Sequence, residues 1–395
     1  MTDRRAQVDH DVSGLTVDQP TLRIERLFVR GFRNLAPLDL IPGARLNVLH
    51  GDNGAGKSSL LEAIGYLGTL ASFRGARADD MVQLGADHAT LKARVVTSAR
   101  DGDPGGSADE ARSLQASVGR GKARRLELDG KRPRSIARWR AALTVVIFHP
   151  GELELASGPD APRRAFVDRV LVQVQPAYAT SLAAYTKALR SRNWLLKHGS
   201  ATGPALAAFD ALLETHGAAL VRARARLVEA LGPRVERAVG HIVGEALPLA
   251  VRYRPRVGEG EGAIAEALAR SADRDRARGF TAEGPHADAI SLEVRQVSAR
   301  RHASQGQHRA IALAMKVAEL ELLASRTGRV PVLLLDDVSS ELDRVRNRRF
   351  FALLGALGGQ VFLTTTRPEL IDLDEPDRVD IALEEGRVAA SSTGD

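Results

Sequence analysis

The sequence predicts an α/β protein in which a mixed lobe of strands and helices is interrupted by a second, mainly helical lobe. Three observations predict this fold class. A short apolar run leads into a Gly-rich loop and a helix-period segment near residue 50, residues 162–243 repeat apolar positions at helical spacing, and strand-like runs return after residue 274. We expect a flexible extension at 1–20, the first lobe at 21–155, the helical lobe at 156–275, the completion of the first lobe at 276–390 and a tail at 391–395.

The first lobe is predicted from local patterns. A strand at 24–32 ends in a basic turn, and a strand at 46–49 enters the Gly-rich loop, which is followed by apolar residues at helical spacing up to Leu67. Polar and glycine residues at 98–107 predict an exposed loop. The Asp129-Gly130 pair predicts the turn of a basic hairpin.

The helical lobe is predicted to contain several helices, because Pro176, the stretch 199–204 and Gly232-Pro233 interrupt its apolar period. After residue 274 the pattern changes to short strands around one strong helix. The strand-like runs lie at 330–335, 360–364 and 379–383.

Length and composition indicate a soluble globular chain. The 395 residues are 44% hydrophobic and 27% charged, as in ordinary globular proteins, and single cores stop growing at roughly 250–300 residues, so more than one lobe is expected. No stretch is long and apolar enough to cross a bilayer, and residues 1–19 lack the apolar segment of a signal peptide. We therefore expect a cytoplasmic protein.

Charge and metal-ligand content narrow the classes of partner. The chain has no cysteine, which excludes disulfides and thiolate zinc sites, and its ten histidines show no metal-ligand spacing. Mg²⁺ arriving with a nucleotide is the expected metal. The net charge of +7 favours a polyanionic partner, because cationic surfaces attract nucleic acid by counterion release.

A phosphate-binding loop is the strongest motif. Gly51–Ser58 match the pattern G-x-x-x-x-G-K-[ST] between a strand and a helix. Backbone N–H groups of such a loop converge on phosphates, the lysine reaches the β- and γ-phosphates, and the serine hydroxyl ligates Mg²⁺. Lys57 is therefore also a catalytic candidate. The predicted nucleotide-binding residues here are Gly51, Asp52, Asn53, Gly54, Ala55, Gly56, Lys57, Ser58 and Ser59.

The apolar run 331–335 ends in Asp336-Asp337, which predicts a strand buried on both faces that delivers carboxylates to the ligand, a Walker B pattern. Adjacent side chains of an extended strand point to opposite sides. We therefore expect Asp336 to bind Mg²⁺ and Asp337 to polarise the attacking water. The alternative for Asp337 is a carboxylate that only caps a turn.

Two further segments resemble motifs of ABC-type ATPases. Ala303–Gln307 precedes an amphipathic helix and resembles the signature, and residues 339–343 have the form of the D-loop. In that resemblance Ser304, Gly306 and Gln307 bind the γ-phosphate of a nucleotide held by a partner subunit, with Ser304 also catalytic. The implied form is an ATP-bridged homodimer, and the implied fold is an ABC-type P-loop ATPase head with an inserted helical lobe. Taken alone, the tetrapeptide Ser304–Gln307 is also an ordinary helix N-cap.

Segments unrelated to nucleotide binding resemble the RecF family over residues 24–366. They are 29–34, 61–64, 72–74, 146–155, 162–168, 192–197, 284–286 and 361–366. The resemblance implies a bacterial recombination-mediator ATPase that binds double-stranded DNA and ssDNA–dsDNA junctions, dimerises with ATP, and works with RecR and RecO to load RecA. By analogy Arg74 lies near the nucleotide base, and Glu152, in the region of the Q-loop, lies near the metal.

The chain departs from the family pattern at three places. Gly151-Glu152 stand where Glu-Asp is usual, Ala287–Ala289 stand where Arg-Asp-Asp is usual, and the signature carries Gln305 where Arg or Gly is commoner. Like that family, the chain has Thr364–Thr366 where transporter ATPases place a switch histidine, and it has Asp337 where they place Glu. The shorter carboxylate and the missing histidine predict slow ATP turnover that acts as a switch. The family resemblance implies that DNA stimulates this weak ATPase.

Basic residues around the predicted hairpin are the candidates for DNA contact, with salt-dependent affinity and little sequence readout. They are Arg124, Arg125, Lys131 and Arg132. Arg222, Arg224 and Arg226 are weaker candidates, because residues two apart cannot share one helix face.

Other functions remain open alternatives. One is an ATP-sensing ABC-type regulator without DNA binding. Another is an ABC-type energy-coupling subunit, which would need a Q-loop glutamine, a Leu-Ser-Gly-Gly-Gln signature and a switch histidine that are not found. An SMC tether would need coiled coils of hundreds of residues between its two head segments, and the insertion here is far shorter.

Overall fold

The computed structural model describes residues 19–98, 110–199, 203–338, 343–368, 371 and 377–393. The predicted extension at 1–20, apart from its last two residues, lies outside this part of the chain, as do nearly all of the predicted loop at 98–107 and the D-loop residues 339–342. The described residues form two compact units. The first falls within Met1–Gly151, Ala238–Ala246 and Lys316–Asp395, and the second within Glu152–Arg237 and Leu247–Met315.

The described residues contain both strands and helices. The strands are β1 (Thr21–Arg30), β2 (Leu38–Leu40), β3 (Leu46–His50), β4 (His88–Ser98), β5 (Glu110–Gly119), β6 (Arg125–Leu128), β7 (Val145–Phe148), β8 (Leu249–Arg254), β9 (Ala289–Val294), β10 (Val297–Ser298), β11 (Val332–Asp336), β12 (Val361–Thr365), β13 (Arg378–Glu384) and β14 (Arg387–Thr393). The helices are α1 (Lys57–Thr69), α2 (Ala78–Met81), α3 (Ile136–Ala142), α4 (Glu154–Ser157), α5 (Asp160–Val174), α6 (Pro176–Lys197), α7 (Gly203–Val243), α8 (Ala263–Arg278), α9 (Ala299–His302), α10 (Gln305–Thr327) and α11 (Arg344–Leu357).

The first unit contains a six-stranded sheet in the order β14-β13-β3-β12-β11-β7, in which only the β13–β14 pair is antiparallel. The register pairs Asp336 with Thr364 and Thr365 with His50. Because parallel strands end at the same edge, this register brings the ends of β3, β11 and β12 together. All five residues of β11 are buried, as the apolar run predicted.

A five-stranded antiparallel sheet, β2-β1-β4-β5-β6, completes the first unit. Its apolar face shares one core with α1 and the parallel sheet. Trp139 is fully buried there, and its indole N–H donates to the carbonyl oxygen of Leu67 at 2.7 Å. Helix α1 lies close to β7 because Gly68 has no side chain: a Cβ there would stand 2.6 Å from Val145 Cγ2.

The second unit combines helices with the antiparallel sheet β10-β9-β8. The sequence assigned residues 276–315 to the first lobe, and the structure corrects this: they belong to the second unit, whose boundaries are 152–237 and 247–315 rather than 156–275. The reason is long-range pairing, since β9 pairs along the whole of β8 and packs on α5. A short apolar strand carries no signal for the sheet that it will join.

Two other boundaries also differ from the sequence prediction. The predicted break at Gly232-Pro233 is wrong, because α7 continues through Pro233 to Val243. Leu231 and Val235 are buried on either side, so tertiary packing outweighs the poor helix propensity of the pair. The tail predicted to begin at 391 is instead part of β14, which pairs with β13 as far as Thr393. No helix among the described residues is both long and apolar enough to cross a membrane.

Candidate nucleotide-binding site

A cavity of about 690 Å³ in the first unit contains most of the predicted nucleotide-binding residues. It lies where β3, β11 and β12 end, and its lining includes Lys57, Ser58, Arg74, Asp336 and Asp337. A volume of this size suits a small-molecule cofactor. The carboxyl edge of a parallel sheet is the usual place for such a site.

The loop that precedes α1 requires glycine at specific positions. Gly51 and Gly56 have φ angles of +140° and +106°, which disfavour residues with a side chain. A Cβ on Gly51 would stand 2.2 Å from the Leu383 carbonyl oxygen, and one on Gly56 would stand 2.8 Å from Leu35 Cδ2. Gly56 is the N-cap of α1 and has no side chain to bond the first-turn N–H groups. The helix N-terminus is therefore available to an anion.

Lys57 is positioned by the loop itself. Its Nζ donates to the carbonyl oxygens of Gly51 at 2.6 Å and Asp52 at 2.8 Å, and the residue is only 9% exposed. Burial lowers the pKa of Lys57, while the nearby charges of Asp337, Asp336 and Asp52 oppose that shift. The ammonium group thus lies in a partly desolvated site, where its attraction to phosphate oxygens is stronger than at an exposed surface.

Ser58 and Asp336 meet across the cavity although they are 278 residues apart. Ser58 Oγ donates to Asp336 Oδ1 at 2.8 Å, and Thr364 Oγ1 donates to the same oxygen at 2.8 Å. A hydroxyl and a carboxylate oxygen held side by side are the donor types that Mg²⁺ prefers. These residues therefore fit a nucleotide-bound Mg²⁺.

Asp337 is not part of the extended strand, contrary to the expectation from the sequence. Strand β11 ends at Asp336, and Asp337 has a φ of +51°. The left-handed region is costly for most residues and is tolerated by Asp and Asn, and such conformations cluster at functional sites. The backbone N–H of Asp337 donates to Thr364 Oγ1 at 3.0 Å. Thr364 thus contacts both aspartates, which differ in backbone conformation and both line the cavity.

Glu62 is a functional candidate that the sequence analysis missed. It is fully buried on α1, and it accepts hydrogen bonds from Arg33 Nε at 2.8 Å and Arg33 Nη2 at 2.7 Å. Ser72 Oγ donates to Glu62 Oε1 at 2.5 Å and accepts from the backbone N–H groups of Arg74 and Ala76. Arg74 Nη1 lies 3.8 Å from Glu62 Oε2. One buried carboxylate therefore holds the segment that carries Arg74.

Asn34 was also missed, and it braces the phosphate-binding loop. Its Nδ2 donates to the Gly54 carbonyl oxygen at 2.7 Å, and its Oδ1 accepts from Ser59 Oγ at 2.7 Å. Two features of the sequence could have indicated these residues. Glu62 is a charged residue among the apolar positions of α1, and Asn34 belongs to the basic turn that follows the first strand. Neither pattern predicts which residue the side chain will contact, because the contacts join residues 20 to 29 positions apart.

We expect Glu62→Gln to lower the free energy of unfolding by about 3–5 kcal/mol, the range for breaking a buried ion pair, and also to weaken ATP binding. An amide cannot neutralise Arg33, so the segment with Arg74 loses its anchor. Urea unfolding and titration with a fluorescent ATP analogue measure the two effects. Glu127→Gln, on an exposed residue of β6, is the control. Unchanged ATP affinity in the folded Glu62 variant would limit Glu62 to a structural role.

The predicted signature residues begin α10. Ser304 Oγ accepts from the Gln307 N–H at 3.2 Å, and Gln307 Oε1 accepts from the Ser304 N–H at 2.8 Å. This reciprocal arrangement is a capping box. Ser304, Gly306 and Gln307 belong to the second unit, and the residues that line the cavity belong to the first. The binding of a partner's nucleotide by these three residues stays a prediction.

Glu152 also belongs to the second unit, of which it is the first residue. It is buried, and its carboxylate accepts from Arg169 Nη2 at 2.7 Å. Its predicted role as a metal ligand is not tested by this contact and stays a prediction.

A second, open groove of about 1160 Å³ lies on the antiparallel sheet of the first unit. Two acids, Asp87 and Glu127, line this groove together with five cations. The cations are Lys122, Arg124, Arg125, Arg132 and Arg134. The predicted hairpin turn is confirmed, since Asp129 and Gly130 both have positive φ and Leu128 pairs with Lys131. Three of the four predicted DNA contacts therefore line the groove, and Lys131 ends the turn beside it.

Arg224 is excluded as a DNA contact. It is buried in the second unit, where its guanidinium bonds both oxygens of Asp168 at 2.9 Å and Asp288 Oδ2 at 2.9 Å. These carboxylates raise the pKa of Arg224 against the opposing effect of burial. Its role is to join α5, α7 and the residues before β9.

Comparison with known sequences identifies the family. The family model described as RecF/RecN/SMC N terminal domain matches residues 23–385. The DNA replication and repair protein RecF of Anaeromyxobacter sp. (strain Fw109-5) is 43% identical over 360 residues, covering 89% of this chain and 94% of the relative. The protein of the same name from Myxococcus xanthus (strain DK1622) is 37% identical, covering 89% of this chain and 92% of the relative.

Comparison with solved structures agrees with this result. A structure of the recombination mediator protein RecF-ATPrS in the RecFOR pathway matches with a TM-score of 0.83 and 28% identity, covering 94% of this chain and 98% of that one. The Smc head domain of Pyrococcus furiosus, at 15% identity and a TM-score of 0.54, shares the fold. The predicted ABC-type head with a second lobe is confirmed. The chain belongs to the RecF family of DNA replication and repair proteins, as its sequence segments indicated.

Proposed function

We propose that this RecF-family recombination mediator binds ATP with Mg²⁺ in the 690 Å³ cavity, hydrolyses it slowly, and uses ATP to join two copies that hold DNA. One observation carries the proposal: the glycine loop, Lys57 and the Ser58–Asp336 pair lie in a single cavity. We place this activity in the cytoplasm, on double-stranded DNA and ssDNA–dsDNA junctions.

The chain's own residues have distinct roles in this proposal. Lys57 and the N–H groups of α1 neutralise phosphate charge, and Ser58 and Asp336 hold the metal. A bound Mg²⁺ would stabilise the negative charge of the phosphates. Asp337 orients water, and the Thr364 hydroxyl holds the Asp337 backbone in place. Aspartate as the base, with no histidine at 364–366, supports slow turnover. Stimulation of this turnover by DNA is proposed from family membership.

Dimerisation is proposed from the second unit. The N-terminus of α10, which Ser304 caps, is the positive end of the helix dipole, and this end suits the γ-phosphate of a nucleotide held by another copy. An ATP-dependent dimer is a switch, because ATP stabilises it and hydrolysis releases it. Cooperation with RecR and RecO in loading RecA is proposed from family membership. The solved RecF structure is described as that of a recombination mediator in the RecFOR pathway.

DNA binding is proposed for the basic groove. Its five cations outnumber its two acids, and arginines that line an open groove suit phosphate contacts. Affinity for duplex DNA should therefore fall steeply with salt and depend little on sequence.

Replacing Arg125 and Arg132 together with alanine should flatten the salt dependence of duplex binding by about 1.8 in log–log slope, because each phosphate contact contributes about 0.9. Fluorescence anisotropy with and without Mg-ATP measures this, and light scattering reports the dimer. Arg26→Ala with Arg94→Ala is the matched control, since both arginines are on the same sheet but paired with Asp39 and Glu25. An ATP-dependent dimer that binds no DNA at low salt would instead indicate an ATP-sensing regulator.

A further inference from the structure

Helix α6 in the second unit exposes a tryptophan. Trp194 is 57% exposed, while the only other tryptophan, Trp139, is fully buried. Burying a large exposed aromatic side chain against a ligand is favourable, because it removes much apolar surface from solvent. Trp194 makes no contribution to the nucleotide cavity or the basic groove.

The exposed ring is held in a defined orientation. His198 stacks on Trp194 with ring centroids 4.6 Å apart and an angle of 25° between the ring planes. His198 Nδ1 also lies 2.8 Å from the Trp194 carbonyl oxygen. An ordered ring loses less conformational entropy when a ligand stacks on it than a free ring would.

A second exposed aromatic residue is tied to the same end of α6. Thr281 donates twice to Asn193 Oδ1, through its backbone N–H at 2.8 Å and its hydroxyl at 2.7 Å. Gly279 lies against the backbone of Lys197, where a Cβ would stand 3.6 Å from the Lys197 Cα. Phe280, between these two anchored residues, is 47% exposed.

The charge on this face has one sign. Helix α6 has no Asp or Glu in 22 residues, and Lys187, Arg190 and Lys197 share the face of Trp194 because they are three, four or seven positions away. Within the described part of the chain these three cations form no ion pair. The remaining arginine of the helix, Arg192, is buried and bonded to Asp210 and Asp275.

We propose that this face binds single-stranded DNA, with bases stacked on Trp194 and Phe280 and phosphates contacted by the flanking cations. We call it the α6 stripe: Lys187, Arg190, Trp194, Lys197, His198 and Phe280. Aromatic rings among cations are the combination that binds unpaired strands without sequence preference. The inference rests on the proposed DNA-binding function and adds a site for the unpaired strand of a junction.

The composition of the stripe favours a single strand over other polyanions. Bases in a duplex are already paired and stacked, so they offer no free face to Trp194. A helix that lies on a membrane needs a broad apolar face, whereas Trp194 is the only large apolar side chain among the exposed positions of α6. Lys187 and Lys197 are separated by about 15 Å along the helix, a short binding site.

Tryptophan fluorescence provides a direct test. In a Trp139→Phe variant, Trp194 is the sole tryptophan, and a dT oligonucleotide should quench its emission saturably. Blunt duplex and heparin should leave it nearly unchanged. Trp194→Ala should weaken dT binding at least about fivefold in anisotropy, Trp194→Phe should retain most of it, and neither should change duplex binding.

Other results would overturn the assignment. Equal quenching by heparin would indicate attraction by charge alone, and quenching by phosphatidylglycerol vesicles but not by dT would indicate a membrane surface. If duplex binds in the Trp139→Phe variant while dT leaves Trp194 emission unchanged, this inference fails alone. If the wild-type protein binds neither duplex nor dT, the proposed DNA-binding function fails with it.

Discussion

Lys57→Ala should reduce ATP affinity by about 10- to 150-fold and abolish measurable hydrolysis. A hydrogen bond to a charged group contributes about 1.5–3 kcal/mol, and the ammonium group is held beside the loop carbonyls of Gly51 and Asp52. The substitution should leave folding almost intact, because desolvation already disfavours the charged form of this lysine. Calorimetric titration with Mg-ATP and a phosphate-release assay measure the two losses.

The matched control for Lys57 is Lys122→Ala, which removes an exposed lysine of the basic groove. It should leave ATP affinity unchanged. Dimerisation and ATP-dependent DNA binding should be lost in the Lys57 variant, because both depend on bound nucleotide in the proposed function. A Lys57 variant with wild-type ATP affinity would place the nucleotide outside the 690 Å³ cavity.

Asp337→Asn should lower the rate of ATP hydrolysis by about 10²- to 10⁴-fold, the usual contribution of a general base, while ATP binding persists. Asparagine tolerates the left-handed conformation almost as well as aspartate, so the φ of +51° at this position should be retained. The ATP-bound dimer should therefore accumulate, and its DNA complex should dissociate more slowly. Single-turnover hydrolysis and light scattering test this.

Asp336→Asn is the informative comparison. Asp336 Oδ1 accepts from both Ser58 and Thr364, so its loss should weaken Mg²⁺-dependent binding as well as hydrolysis. The two adjacent substitutions should therefore separate binding from chemistry. A wild-type rate of ATP hydrolysis in the Asp337→Asn variant would show that Asp337 only caps a turn, which is the alternative that the sequence leaves open.

Turn residues and apolar periods are local features of this chain, and the elements that depend on them were predicted from the sequence. Asp129-Gly130 predicted a hairpin turn because both positions adopt positive φ, which these residue types accept. The buried strand β11 was predicted because an unbroken apolar run ending in carboxylates suits a parallel sheet. Where long-range packing opposes local propensity the prediction was wrong, as at Gly232-Pro233 inside α7.

The sequence by itself determined the phosphate-binding loop and the strand that ends at Asp336, because each depends on residue types at short, specified spacing. The family and the ABC-type head followed from the resemblance of its segments to known proteins. Only the tertiary structure decided that Thr364 contacts both aspartates, that Glu62 anchors Arg74, and that Arg224 is buried. Those contacts join residues 12 to 64 positions apart along the chain. They depend on sheet register and helix packing, which local spacing does not encode.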